Sequence, residues 1–231
     1  MYGYYYWDWT YLLVIVGAVI CMAASARVNM TYKKYAQVRA MSGMTGAQVA
    51  ERILQQNGIY DIAVVRVSGT LTDHYSVKDH RVSLSESTYD STSVAAIAVA
   101  AHECGHVCQN NFGYGPYSVR RALVPAANIG AQLGLPIVII GLIIGRFPAI
   151  ITAGILIFSV AVLFQIVTLP VEFDASRRAL VMLEQYGILG QEEKKDAKKV
   201  LNAAALTYVA AAASSVLQLL RLVALSNRRR D

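Results

Sequence analysis

The chain has 231 residues, 55% of them hydrophobic and only 16% charged, with a mean hydropathy of +0.41. That balance excludes a disordered chain, and three cysteines (Cys21, Cys104, Cys108), one of them inside an apolar block, exclude a small disulfide-stapled secreted domain. The net charge of +6 does not point to nucleic acid, because the basic residues gather beside the apolar blocks, where positive loops set membrane orientation. The partner expected from this distribution is the lipid bilayer, with no nucleic acid and no oligomeric state specified.

Taken in chain order, the first element is an apolar stretch over 10–26, slightly short of the roughly 20 residues a hydrocarbon core requires. Tyr2, Tyr4, Tyr5, Tyr6, Trp7, Trp9 and Tyr11 precede it and extend it as an interfacial belt. Ala24-Ser25-Ala26 resembles a signal-peptide cleavage site, but residues 1–9 lack the basic leader such a signal carries. Residues 1–27 are therefore expected to be a retained anchor. Two further blocks, 122–145 and 147–169, read as a transmembrane hairpin over 122–169. The first is bent by Pro125 and Pro136 and interrupted by Asn128 and Gln132. In the C-terminal part, 201–231, the Ala-rich block 203–226 either spans or packs beside the other helices, giving three or four transmembrane helices. Arg27, Lys33, Lys34, Arg39, Arg120, Arg121, Arg177 and Arg178 place 28–121 and 170–200 in the cytoplasm and the N-terminus outside. A fourth span would put Arg228-Arg229-Arg230 outside, against the same rule.

The fold class expected is a mainly α membrane protein with a small α+β cytoplasmic, zincin-like unit in 28–121. Thr45 and Gln48 fit a capping box ahead of an apolar face of Val49, Ala50, Ile53 and Leu54, which Asn57-Gly58 ends. Stretches 62–67 and 80–85 read as strands, with His74 and His80 in the polar loop that makes them a hairpin. Residues 90–93 offer N-caps for a helix reaching about Gln109.

That helix contains His102-Glu103-Cys104-Gly105-His106, an H-E-x-x-H pattern. At about 100° per residue the two histidines lie only about 40° apart, so both imidazoles reach one Zn²⁺. Glu103 falls beside the metal, where a base acting on bound water is needed. Cys104 and Cys108 face away and read as small hydrophobes, while Gly105 lets another backbone come close. A catalytic zinc wants a third protein ligand. His74 and His80 are upstream candidates. Downstream, a helix starting at Pro170 and closed by Gly187 carries Glu172 and Asp174. The hairpin crosses the membrane twice and so returns the chain to the side of the histidines. Ala175 and Ser176 on the Glu172 face favour Glu172 as the ligand. Asp174 then orients a ligand histidine from behind, or both acids simply favour the helix dipole.

Thr45-Gly46-Ala47, Asp73-His74-Tyr75, Leu84-Ser85-Glu86-Ser87, the His102–His106 motif, Glu172-Phe173-Asp174-Ala175-Ser176-Arg177-Arg178-Ala179 and Leu206-Thr207-Tyr208 resemble the YugP-like neutral zinc metallopeptidases of bacterial membranes, in order and spacing. More distantly, the pattern is similar to the HtpX-type and CAAX-prenyl-protease-type gluzincins, which usually carry Asp where this chain has Ser176. The resemblance implies a zinc peptidase of the bacterial plasma membrane, and the distribution of basic residues puts its site on the cytoplasmic side.

On this reading one Zn²⁺ per chain is held by His102, His106 and Glu172, with Glu103 as general base. Arg177 or Arg178 could hold carboxylates or an oxyanion, although each also fits a membrane-flanking cation. A strand within 80–85 (Val82, Ser83, Leu84) could offer an open edge to an extended substrate, or pair only internally. The rival reading is a zinc-containing membrane scaffold or chaperone-like protein without proteolytic activity. A metal transporter would want ionisable groups inside the spans, and only Arg221 qualifies.

Overall fold

A computed structural model describes residues 8–144 and 148–227. The aromatic-rich residues 1–7, residues 145–147 and residues 228–231 lie outside the described residues. The protein is mainly α, with a small α+β portion. In chain order it runs α1 (Tyr11–Tyr35), α2 (Gly46–Gln56), β1 (Ala63–Val67), β2 (His74–Ser76), β3 (Arg81–Ser85), α3 (Glu86–Tyr89), α4 (Val94–Asn111), α5 (Gly115–Ile144), α6 (Pro148–Gln185) and α7 (Gln191–Asn227). Helices α1, α5, α6 and α7 are each long and apolar enough to cross a bilayer. The fourth, left open by the Ala-rich sequence, qualifies because its apolar block is long and nearly free of charge and lies within one uninterrupted helix.

The chain divides into two compact units. One contains the described residues of 1–24, 119–168 and 207–231, and its core includes Val138, Ile151 and Leu222. The other contains 25–118 and 169–206 and holds every candidate site residue.

Within that second unit the amphipathic pattern of α2 does what it promises. Val49, Ala50, Ile53 and Leu54 are buried, and the helix packs on α4. The capping box is complete, since Thr45 Oγ1 accepts from Gln48 N–H while Gln48 Oε1 accepts from Thr45 N–H. Ser93 caps α4 by accepting from Ala96 N–H at 3.2 Å. Residues 38–40 clasp the same end: Val94 N–H donates to the Val38 carbonyl and Ala40 N–H to that of Thr92. Helix α4 is thus fixed at its start, and its Ala-rich length is buried in the core with Ile97 and Val107.

The sheet differs from expectation. Its order is β1-β3-β2, with β1 parallel to β3 and β2 antiparallel to it. The segment around His74 is therefore a strand, not a loop, and β1 and β3 do not form a hairpin. Asp73 holds this return in place by accepting from both the backbone N–H and the hydroxyl of Ser85, at 2.8 and 2.9 Å. Strand β3 is consequently central. Val82 and Leu84 are fully buried and Ser83 is paired on both sides, so no substrate can add along this strand. The sheet's edges belong to β1 and β2.

A second correction concerns Pro170, which lies inside α6 rather than starting a new helix. Proline removes one backbone donor, a loss that long apolar helices tolerate, and α6 runs through residue 170 without a break. It ends where Gly187 adopts φ +63°, a conformation costly for other residues. Glu172 and Asp174 are therefore mid-helix residues, and the dipole explanation for them does not apply.

Candidate active site

The site lies where α4 meets the second half of α6. Contact between two helices at backbone distance requires small residues at the crossing, and these are Gly105 and Ala175. A Cβ placed on Gly105 would sit 2.6 Å from the Ala175 carbonyl oxygen. The close crossing brings the faces of both helices together over a full turn.

His102 and His106, one turn apart on α4, stand edge to face with ring centroids 4.7 Å apart. From α6, Glu172 places Oε2 at 3.3 Å from His102 Nε2 and 3.7 Å from His106 Nε2. Glu172 is 2% exposed, and the three donor atoms lie within 4.8 Å of one another. Two imidazole nitrogens and a carboxylate oxygen around one point suit a zinc ion, whose bonds to such donors are about 2.0–2.2 Å long. Glu103, next to His102 in the sequence, is also buried, and its carboxylate acts electrostatically on His106.

Each histidine is held from behind by a different partner. His102 Nδ1 is 3.1 Å from Ser176 Oγ, one turn along α6 from Glu172. His106 Nδ1 is 3.0 Å from Gln109 Oε1. The Gln109 amide can be oriented only one way: its Nε2 donates to the Val171 carbonyl at 2.8 Å and to Asp174 Oδ2 at 3.0 Å. Its oxygen must then face His106, so Nδ1 carries a proton and Nε2 is the nitrogen turned toward Glu172. Asp174 is fixed in turn by Arg177 at Oδ1 and by Arg178 Nε at 2.5 Å from Oδ2. Arg178 also stacks over the Tyr114 ring, 5.5 Å from its centroid.

The electrostatics follow. Burial opposes the charged form of His106, but its contact with Glu172 and the nearby Glu103 carboxylate outweigh it, holding the imidazole above its ordinary value. Burial likewise opposes ionisation of Glu172, three residues beyond the apolar stretch ending at 169, yet the two imidazoles beside it hold its carboxyl well below the usual range. Asp174 is lowered too: burial is outweighed by Gln109, Arg178 and Arg177. Burial pushes the Cys108 thiol up to about 11 and that of Cys104 well above its usual value. Both sulfurs stay neutral and packed rather than becoming ligands.

Of the residues singled out in the sequence, the structure brings together His102, His106 and Glu172. His74 does not join them; it is exposed on β2, its Nδ1 2.9 Å from the Thr72 carbonyl. His80 is exposed beside Asp61. Asp174 reaches His106 only through Gln109, because two residues past Glu172 it is turned about 200° around the helix. Arg177 and Arg178 grip Asp174, beyond any flanking role. Sequence reasoning missed Gln109 and the hydrogen bond of Ser176, although both keep helical spacing, i+3 from His106 and i+4 from Glu172. It also missed Tyr117, whose ring centroid lies 6.1 Å from that of His106.

Replacing Gln109 with Leu keeps the volume but removes the hydrogen bond that orients His106. Zinc affinity, measured by competition with a coloured chelator, is expected to fall about 10- to 100-fold. An unchanged dissociation constant would show that the amide does not position the ligand.

A relative in Bacillus subtilis (strain 168), "Putative membrane protease YugP", is 42% identical over 219 residues, covering 95% of this chain and 97% of that protein. No solved structure matches the chain. A family model matches residues 10–227, nearly everything described above, and the chain accordingly belongs to the family "Putative neutral zinc metallopeptidase".

Proposed function

We propose that the chain is a membrane-bound zinc endopeptidase of the bacterial plasma membrane, with one zinc per chain and its site on the cytoplasmic side, acting on peptides or membrane proteins. The observation that carries the reading is the convergence of His102, His106 and Glu172, with Glu103 buried next to His102 in the sequence. The family and the relative's name support a zinc peptidase, and the four apolar helices support a membrane setting. The distribution of Arg27, Lys33, Lys34, Arg39, Arg120 and Arg121 supports the cytoplasmic side.

A zinc ion held by His102, His106 and Glu172 would polarise the scissile carbonyl and acidify a water molecule. The chain's own groups do the rest. Glu103, one residue from His102 and outside the donor set, accepts a proton from the attacking water and delivers it to the departing amine nitrogen. Ser176 and Gln109 hold the two imidazoles with Nδ1–H outward, keeping both Nε2 lone pairs aimed inward. The Asp174 pair with Arg177 and Arg178 fixes Gln109 and so keeps that aim through turnover.

Full-length protein in detergent micelles, incubated with an unfolded polypeptide, is expected to release fragments with new amino termini. Cleavage should stop when zinc is chelated and return when one equivalent is restored. Fully zinc-loaded protein that cleaves no polypeptide would favour the scaffold reading instead.

A further inference from the structure

Helices α1 and α7 each change character abruptly. The apolar sequence of α1 ends at Arg27, and that of α7 begins at Ala203. A cavity of about 350 Å³ lies where these two boundaries meet, with all its lining inside the unit formed by 25–118 and 169–206. From α1 it is lined by Arg27, Met30, Thr31 and Lys34, at positions i, i+3, i+4 and i+7 on one helix face. From α7 come Lys199, Asn202 and Ala203, again one face.

Three cations therefore converge on one concave surface. Lys34 and Lys199 share a single aromatic wall: their ammonium groups lie 5.3 and 5.7 Å from the centroid of the buried Tyr35 ring. Two like charges on one ring repel each other, and Arg27, two turns away, adds to that repulsion. The lining carries three positive charges, and Asp196, outside it and 2.8 Å from Lys199, lowers the local net charge to +2. Thr31 and Asn202 contribute a hydroxyl and a carboxamide, both suited to phosphate oxygens, while Met30 and Ala203 supply apolar surface on the same walls. Orientation in the membrane requires only that positive charges lie on the correct side. It does not require them to gather round one cavity.

We propose that this cavity binds the phosphate of an anionic glycerophospholipid, held by Arg27, Lys34 and Lys199, with the lipid's apolar part against Met30 and Ala203. Basic pockets between membrane helices recognise anionic head groups in this way. The site is separate from the three-donor group and does not depend on the peptidase reading.

The test uses full-length protein in uncharged detergent, titrated with short-chain phosphatidylglycerol while its thermal midpoint is followed. Saturable stabilisation is expected with phosphatidylglycerol, and none with phosphatidylcholine or with inorganic phosphate at the same concentration. The double variant Lys34→Gln/Lys199→Gln should bind about tenfold more weakly or worse, given that each basic residue near an anionic lipid surface contributes roughly a factor of five. Lys34→Arg/Lys199→Arg, which keeps the charges, should remain within about threefold of the parent. Lys33→Gln/Lys198→Gln removes two charges outside the cavity and should do the same. The proposal is overturned if the two Gln doubles lose affinity equally, if the Arg double loses as much as its Gln counterpart, or if phosphatidylcholine or inorganic phosphate saturates the protein as phosphatidylglycerol does.

Discussion

Glu103→Gln is expected to lower kcat on the order of 10²- to 10⁴-fold while zinc content and thermal midpoint stay at their parent values. At about 1.36 kcal/mol per factor of ten, that loss corresponds to about 3–5 kcal/mol of transition-state stabilisation. The substitution is nearly isosteric, and Glu103 lies outside the donor set of His102, His106 and Glu172, so the ion keeps all its ligands. An amide cannot accept the proton that the attacking water must lose. The outcome separates catalysis from metal holding: a scaffold with structural zinc has no use for a base at this position and would be indifferent to the change. Turnover by the Gln variant within a factor of two of the parent would remove Glu103 from the reaction.

The second large effect is at Gly105. In a helix interior Ala is normally about 1 kcal/mol better than Gly, so propensity alone predicts that Gly105→Ala stabilises. Packing predicts the opposite. The new Cβ would lie 2.6 Å from the Ala175 oxygen and 3.1 Å from its carbonyl carbon and Cα, all backbone atoms that cannot rotate away. Reaching an ordinary contact near 3.4 Å requires α4 and α6 to separate by about 0.8 Å. Overpacking of this kind costs about 1–3 kcal/mol, which outweighs the propensity gain. The functional cost is larger still, because Glu172 lies less than a turn from Ala175 and moves with it. Zinc–ligand distances tolerate only about 0.2 Å, so Gly105→Ala is expected to weaken zinc binding at least about tenfold and to lower the thermal midpoint. Gly115→Ala is the matched control: no atom lies within 4 Å of its added Cβ, and its backbone is not in the left-handed region. Equal zinc affinity in the two variants would show that the helix crossing does not set the position of Glu172.

The parts of this molecule legible in the sequence are those governed by local spacing. The i, i+4 repeat of His102 and His106 made them neighbours on α4, the Thr45–Gln48 capping box located the start of α2, and Gly187 marked the end of α6. The convergence of Glu172 on the histidines was legible because two apolar blocks between them imply a return of the chain. What stayed hidden depends on partners distant in sequence. The parallel pairing of β1 with β3 leaves no trace in either strand, and β2 is only three residues long, too short for an alternation to show. Hence the central position of Val82 and Leu84 was invisible, and β3 looked like a free edge. Pro170 misled because proline's preference for a helix start is only a local tendency, and the long apolar helix α6 runs straight through it. Gln109 went unnoticed because its meaning arises only when α6 brings Val171 and Asp174 against it.

The most direct test of the central claim is metal analysis of the purified full chain beside its His102→Ala, His106→Ala and Glu172→Ala variants, each at equal protein concentration after dialysis against metal-free buffer. The parent is expected to retain one equivalent of zinc, and all three variants to lose it. Full retention of zinc by Glu172→Ala would contradict the account, since the carboxylate from α6 would then not belong to the ion held by the paired imidazoles.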